Sequence, residues 1–231
     1  MYKRQTKNDI VEFYGISPDR IAVVYCGVDE QFGQLGAGAI DEFRASKGLP
    51  ARYILYLGTL EPRKNVAQLV RAFAALKPAG RPKLVIAGAK GWGYDDVYAA
   101  AEQCGISADI IFAGYIAQAE LPLWYNAAEL FVYPSHYEGF GLPVAEAMAC
   151  GTPAITSNVS SLPEVAGNAA LTVSPADTRG LTEAIEHVLS DAPLRAQMKE
   201  RGLAQAAQFT WRRVAEQTAQ VYNRVLKRHA A

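Results

Sequence analysis

Hydrophobic residues along this chain recur in two alternating rhythms. Short unbroken apolar runs at Tyr53-Ile54-Leu55-Tyr56-Leu57-Gly58, Lys83 to Ala87, Ile110-Ile111-Phe112-Ala113-Gly114 and Leu130-Phe131-Val132-Tyr133-Pro134 read as strands buried on both faces. Between them the spacing changes to that of a helix. Val66, Leu69, Val70, Phe73 and Leu76 share one helical face, and Val97 to Cys104 and Leu121 to Ala127 read the same way. Further strands are predicted at Ala154-Ile155-Thr156 and Ala170 to Val173, then a helix from about Thr178 to Leu189. Residues 192–227 are mostly helical, with an interruption near Phe209-Thr210-Trp211. Strands alternating with helices of this length predict parallel βαβ units, and so an α/β fold with an open, doubly wound parallel sheet. Such sheets bind ligands beyond the carboxyl ends of their strands, which points to the loops starting at Gly58, Gly88, Gly114 and Pro134.

The first fifty residues follow a looser pattern. Residues 8 to about 18 read as a short helix ending at Gly15, and Ile21 to Tyr25 as a buried strand closed by Gly27. Gln31 to Gly48 is richer in Gly and polar residues and lacks a period, so it reads as a linker. No internal repeat or low-complexity stretch is present.

Composition narrows the functional classes. Half of the 231 residues are hydrophobic, enough for a full core, and 23 Lys plus Arg balance 23 Asp plus Glu. No net field therefore draws the chain to nucleic acid or an anionic membrane. Cys26, Cys104 and Cys150 are scattered, without a Cys-x-x-Cys pair or a His cluster, which predicts reduced thiols in a cytoplasmic setting and no zinc site. No apolar segment approaches the roughly 20 residues of a membrane span, and the amino-terminal residues lack a secretory apolar core.

The densest chemistry lies in His136-Tyr137-Glu138-Gly139-Phe140-Gly141-Leu142-Pro143-Val144-Ala145-Glu146-Ala147-Met148-Ala149-Cys150-Gly151-Thr152-Pro153. Gly139 and Gly141 let the backbone bend and approach a ligand closely. Pro143 suits the first turn of a helix starting near Leu142, and Gly151 with Pro153 marks its stop. The unpaired amides of that helix point back to the Gly-Phe-Gly bend and form an anion site. Glu138 precedes the bend and Glu146 lies a turn inside the helix, so the two carboxylates should touch different parts of one extended ligand. A second cluster, Gly58-Thr59-Leu60-Glu61-Pro62-Arg63-Lys64-Asn65, follows the strand at Tyr53. Two adjacent cations in a strand-to-helix loop suit a diphosphate. Taken alone they better suit a solvated charge pair before a helix capped by Asn65, but with both clusters at one rim of the sheet diphosphate binding is the better reading.

The run from Glu138 to Pro153 resembles the E-x7-E signature of the retaining nucleotide-sugar glycosyltransferases of family 4 (group 1), built from two facing Rossmann-like domains in the GT-B arrangement. The resemblance implies that residues 49–231 form the carboxyl-terminal, donor-binding domain. Residues 1–48 would be a remnant of the first domain and the crossing out of it, with most of an N-terminal acceptor domain lying outside this chain. It implies a metal-independent hexosyltransferase with no cofactor beyond its nucleoside-diphosphate sugar, acting on a saccharide or lipid-linked acceptor. Peripheral membrane contact would then belong to the full-length enzyme. By this resemblance Lys64, with Arg63, neutralises the donor diphosphate. The amides of Gly139, Phe140, Gly141 and Leu142 hold donor sugar or phosphate, Glu138 holds sugar hydroxyls, and Glu146 the ribose. Gly58 and Thr59 line the diphosphate loop, and Gly114 and Tyr115 border the base. The chain departs from the family at Thr59, where an arginine usually stands, and at Arg63, in place of a glutamate. The Thr-Leu-Glu-Pro-Arg-Lys-Asn form looks similar to mannosyltransferases of surface-polysaccharide assembly, which suggests a GDP-mannose donor.

Other chemistries lack their residues. A glycosidase needs paired carboxylates but no diphosphate site. The turn after Leu57 lacks the Gly-x-Gly-x-x-Gly of dinucleotide enzymes, and neither a P-loop nor an Asp-x-Asp occurs. His136 suits an acid, a base or a plain loop residue. Trp92, between two glycines, suits either the cleft or a loop cover. A nucleotide-sugar-binding module without turnover of its own remains the alternative.

Overall fold

A computed structural model of the protein describes residues 3–229. Its centre is a sheet of six parallel strands in the order β3-β2-β1-β4-β5-β6. The strands are β1 (Tyr53–Leu57), β2 (Lys83–Ala87), β3 (Ile110–Gly114), β4 (Leu130–Tyr133), β5 (Ala154–Ser157) and β6 (Leu171–Val173). In chain order the helices are α1 (Arg4–Tyr14), α2 (Ala37–Lys47), α3 (Val66–Ala74), α4 (Asp95–Gln103), α5 (Leu121–Ala127), α6 (Leu142–Ala149), α7 (Leu162–Ala166), α8 (Thr178–Ser190), α9 (Ala192–Ala206) and α10 (Trp211–His229). This is the doubly wound, Rossmann-like sheet that the alternating pattern predicts.

The central strands are apolar on both faces because both faces are covered. Ile54, Leu55, Leu84, Val85, Leu130 and Phe131 are fully buried. From β1 the chain winds outward through α3 and α4 to β3, then returns through α5 to β4 and winds the other way. Right-handed crossovers in opposite directions place the two sets of helices on opposite faces. Accordingly α3 packs on α4 and α8, whereas α6 packs on α5, α7 and α9. The reversal falls between β1 and β4, and at such a point the loops diverge and leave a crevice.

Three expectations for the leading segment are corrected. Ile21 to Tyr25 is extended but is not a strand, because no strand of the sheet lies beside it to complete a ladder. Ala22, Val24 and Tyr25, with Cys26 after them, instead line one side of a groove of about 510 Å³ whose other side is Trp211, Val214 and Val221 of α10. Within the stretch read as a linker, residues 37–47 form α2. Its one buried side chain, Phe43, meets Trp124 edge-on at 5.3 Å, and Arg44 donates to the Ala127 carbonyl at 2.7 Å. The early helix also starts sooner than the pattern suggests, at Arg4, although it ends on Gly15 in the left-handed conformation (φ 63°). Trp211, Tyr222 and Leu226 of α10 are exposed. No described helix is long and apolar enough to cross a membrane.

Candidate functional site

The loops after β1 and β4 meet at the reversal point, and they carry the two clusters singled out in the sequence. After β1 the backbone turns through Glu61 into a short 3-10 turn, Pro62–Lys64. Asn65 ends that turn in the left-handed conformation (φ 59°), so its side chain does not cap α3. Its amide instead donates to the carbonyls of Pro134 (3.1 Å) and Pro175 (2.8 Å), tying three strand-end loops together. The His136 amide adds a bond to the Arg63 carbonyl at 2.9 Å. The pattern alone misses this crosslink, since an Asn before a helix reads first as a cap.

This bracing brings Arg63, Lys64 and Glu138 together. The Lys64 ammonium donates to Glu138 Oε1 at 2.7 Å and to the Tyr133 hydroxyl at 2.5 Å, and the whole side chain is almost enclosed. Arg63 lies 3.1 Å from Glu138 Oε2 and bonds Glu61 Oε1 and the Tyr137 carbonyl, each at 2.6 Å. Two cations thus face two carboxylates, and Arg63 is a bridging cation rather than a free one. Burial works to raise the Glu138 pKa, but the hydrogen bond and charge of Lys64 outweigh it, so the carboxyl sits below its usual range. The Tyr133 hydroxyl is pushed well above its ordinary value, by burial first and then by the Glu138 charge. Glu138 is therefore an ionised acceptor at neutral pH, unsuited to donating a proton.

Beyond Glu138 the chain makes the predicted bend into α6. Gly141 has φ 108°, and a Cβ there would stand 2.8 Å from the Leu162 side chain. Phe140 is buried beside Tyr25 and Phe209. Among the described residues no acceptor takes a hydrogen bond from the amides of Gly139, Phe140, Gly141 or Leu142. Of these four residues, which follow Glu138 directly, Gly139 is exposed, Leu142 half-buried, and Phe140 and Gly141 buried; unpaired amides at a helix start are what an anion site requires.

Glu146 points elsewhere, which separates the two carboxylates as their spacing suggests. It accepts a hydrogen bond from the Tyr125 hydroxyl at 2.9 Å. Burial pushes its pKa up to about 7, against the Tyr125 bond and helped by the charge of Asp29. A carboxyl raised on folding holds its proton better in the native state. Its contribution is complete below the ordinary carboxylate pKa and is lost as pH rises toward 7. Glu146→Gln should therefore flatten the fall in stability between pH 5 and 7.5, a term of at most about 3 kcal/mol. Urea melts at stepped pH check this; an unchanged slope would show that Glu146 titrates normally.

The remaining predicted residues line the same carboxyl edge without joining the cluster. Gly58 sits against Gly88, where a Cβ would lie 1.9 Å from the Gly58 carbonyl oxygen, so the first two loops can close only on glycine. Leu60 and Gly91 then zip those loops through bonds of 2.9 and 3.0 Å, with Thr59 left exposed. A register shift near the end of β3 precedes Gly114, which has φ 70°, and Tyr115 is 78% exposed. Gly114 and Tyr115 stand at the sheet edge, two strands from β1. Trp92 is 71% exposed, so it does not cover its loop.

The model of the family described as glycosyl transferases group 1 matches residues 39–205. The O-antigen chain mannosyltransferase B of Escherichia coli is 44% identical over 172 residues, covering 74% of this chain and 45% of that protein. Among solved structures, a sucrose-phosphate synthase from Thermosynechococcus elongatus superposes with a TM-score of 0.85 at 27% identity, covering 98% of this chain and 58% of the other. The C-terminal domain of a glycosyl transferase group 1 family protein from Francisella tularensis gives 0.68 at 26% identity, covering 79% of this chain and 97% of that domain. The chain thus spans about half the length of the mannosyltransferase and the synthase.

Proposed function

The chain belongs to the group 1 glycosyl transferases, and from that premise we propose that it carries the donor site of a retaining hexosyl transfer from a nucleoside-diphosphate sugar. The observation that carries this reading is the ionised Glu138, locked between Lys64 and Arg63 beside four unengaged amides at the start of α6. Diphosphate oxygens accept from the amides and share the two cations, while Glu138 accepts from sugar hydroxyls. Glu146, on the other side of the bend, takes the ribose, and Gly114 and Tyr115 border the base. When the bond between the anomeric carbon and the diphosphate oxygen breaks, the leaving group gains negative charge where these donors already stand. An acceptor hydroxyl attacks from the face of departure, giving retention. Its proton goes to the departing oxygen, so Glu138 need not become a nucleophile.

With a mannosyltransferase among the relatives, the donor we propose is a mannose conjugate, for which we take GDP-mannose, and the acceptor we propose is a saccharide or lipid-linked group. Charge neutralisation by Lys64, Arg63 and backbone amides makes binding independent of a divalent metal. Because the chain spans about half of its relatives' length, we assign it one wall of the cleft and place the acceptor on a facing N-terminal domain of a longer protein. Calorimetry with GDP- and UDP-sugars, with and without chelator, should show metal-independent binding by residues 1–231. Labelled sugars should then show negligible transfer. Binding abolished by the chelator would overturn the neutralisation scheme, and robust transfer by a monomer would overturn the one-wall assignment.

A further inference from the structure

Lys3 takes no part in the cluster just described, yet it is 2% exposed, more enclosed than Lys64. Its ammonium donates to the Glu138 carbonyl oxygen at 2.8 Å and to Ser160 Oγ at 3.3 Å, and it stands 4.1 Å from the centre of the Tyr137 ring. These partners are a carbonyl, a hydroxyl and a ring, none of them charged. A buried ammonium needs its hydrogen bonds satisfied, and here they converge on one peptide group. Ser160 Oγ also accepts from the Glu138 amide at 3.1 Å and donates to the Glu138 carbonyl at 2.8 Å, while Ser161 Oγ stands 3.0 Å from that carbonyl and donates to the Phe140 carbonyl at 2.7 Å. The segment bearing Lys3 is anchored in turn, because the amides of Arg4 and Gln5 donate to Glu164 of α7 at 3.0 and 3.2 Å.

The peptide joining Glu138 to Gly139 is planar and trans. Gripping its carbonyl on one side aims the Gly139 N–H to the other, and this N–H has no acceptor among the described residues. A cation on the carbonyl also polarises the group, making the N–H a stronger donor. We infer that Lys3 is a positioning residue that orients and polarises the Gly139 amide toward the phosphate of the donor, acting through the Glu138 peptide. The inference rests on the donor-site reading above.

Lys3→Met keeps the length and the packing and removes the charge. The probes are guanosine with GDP and uridine with UDP, titrated into the full chain without metal, while a ¹⁵N spectrum follows the Gly139 amide. The variant should lose about ten-fold of the diphosphate's advantage over its nucleoside, leave nucleoside affinity unchanged, and shift the Gly139 proton resonance upfield. Equal weakening of nucleoside and diphosphate, with Gly139 unmoved, would reduce Lys3 to a structural contact and overturn the inference. So would an unchanged advantage. A wild-type chain that does not prefer either diphosphate to its nucleoside would overturn the donor-site reading itself, and with it any ligand-facing role for Lys3.

Discussion

Replacing Lys64 by alanine is expected to cost both stability and donor binding, each by a large step. In the native chain the ammonium is the closest counter-charge to Glu138, at 2.7 Å, and it also holds the Tyr133 hydroxyl. Removing it leaves a buried carboxylate facing Arg63 alone, and Arg63 is already shared with Glu61. Losing one partner of a buried pair costs about 3 kcal/mol, mostly as the penalty on the charge left behind. The pH dependence identifies the cause. The Glu138 pKa is lowered on folding, so the stability it confers is present above the ordinary carboxylate value and is lost as pH falls. The gap between wild type and variant should therefore be widest at neutral pH and shrink in acid. Diphosphate affinity should drop about a hundred-fold, since a charged donor leaves an enclosed site. Urea melts at pH 7 and pH 4, with calorimetry alongside, check both. An unchanged melt with unchanged affinity would mean that the Lys64–Glu138 pair is incidental.

Where the chain repeats a period, its structure is legible. The runs at Tyr53, Lys83 and Leu130 are strands with a strand on both sides; the Ile110 run, read as buried on both faces, is instead the edge strand, paired with β2 alone and only half-buried, and the helical spacing from Val66 is that of α3. Ile21 to Tyr25 has the same composition without a neighbouring strand, and composition alone does not make a ladder. α2 escapes a periodic reading because Phe43 is its one buried side chain, and α7 escapes because it has five residues. The meeting of Arg63, Lys64 and Glu138 follows from the sheet order, since loops after β1 and β4 adjoin wherever winding reverses. What pattern cannot supply is the partner of each polar group. That Arg63 bridges Glu61 and Glu138, that Tyr125 holds Glu146, and that Asn65 crosslinks loops all depend on side-chain direction. The grip of Lys3 on a carbonyl 135 residues away leaves no trace in the spacing.

Glu138→Ala and Glu146→Ala should damage binding in different ways, because the structure gives the two carboxylates different neighbours. Alanine at Glu146 removes a group placed apart from the cations, beside Tyr125. Free nucleoside diphosphate and its sugar conjugate should then weaken alike, by ten-fold to about a hundred-fold for a lost charged hydrogen bond. Alanine at Glu138 frees Lys64 and Arg63 from a competing carboxylate. Free diphosphate should bind as well as before or more tightly, while the sugar conjugate loses the increment that its hydroxyls contribute. The most direct test of a donor spanning both carboxylates is thus a crossed titration of wild type and both variants. It uses GDP against GDP-mannose and UDP against UDP-glucose, at pH 8, where Glu146, raised to about 7, is largely ionised. The account predicts that Glu138→Ala abolishes the preference for the sugar conjugate and spares the diphosphate, and that Glu146→Ala weakens both equally. Equal weakening of diphosphate and conjugate by Glu138→Ala would contradict it.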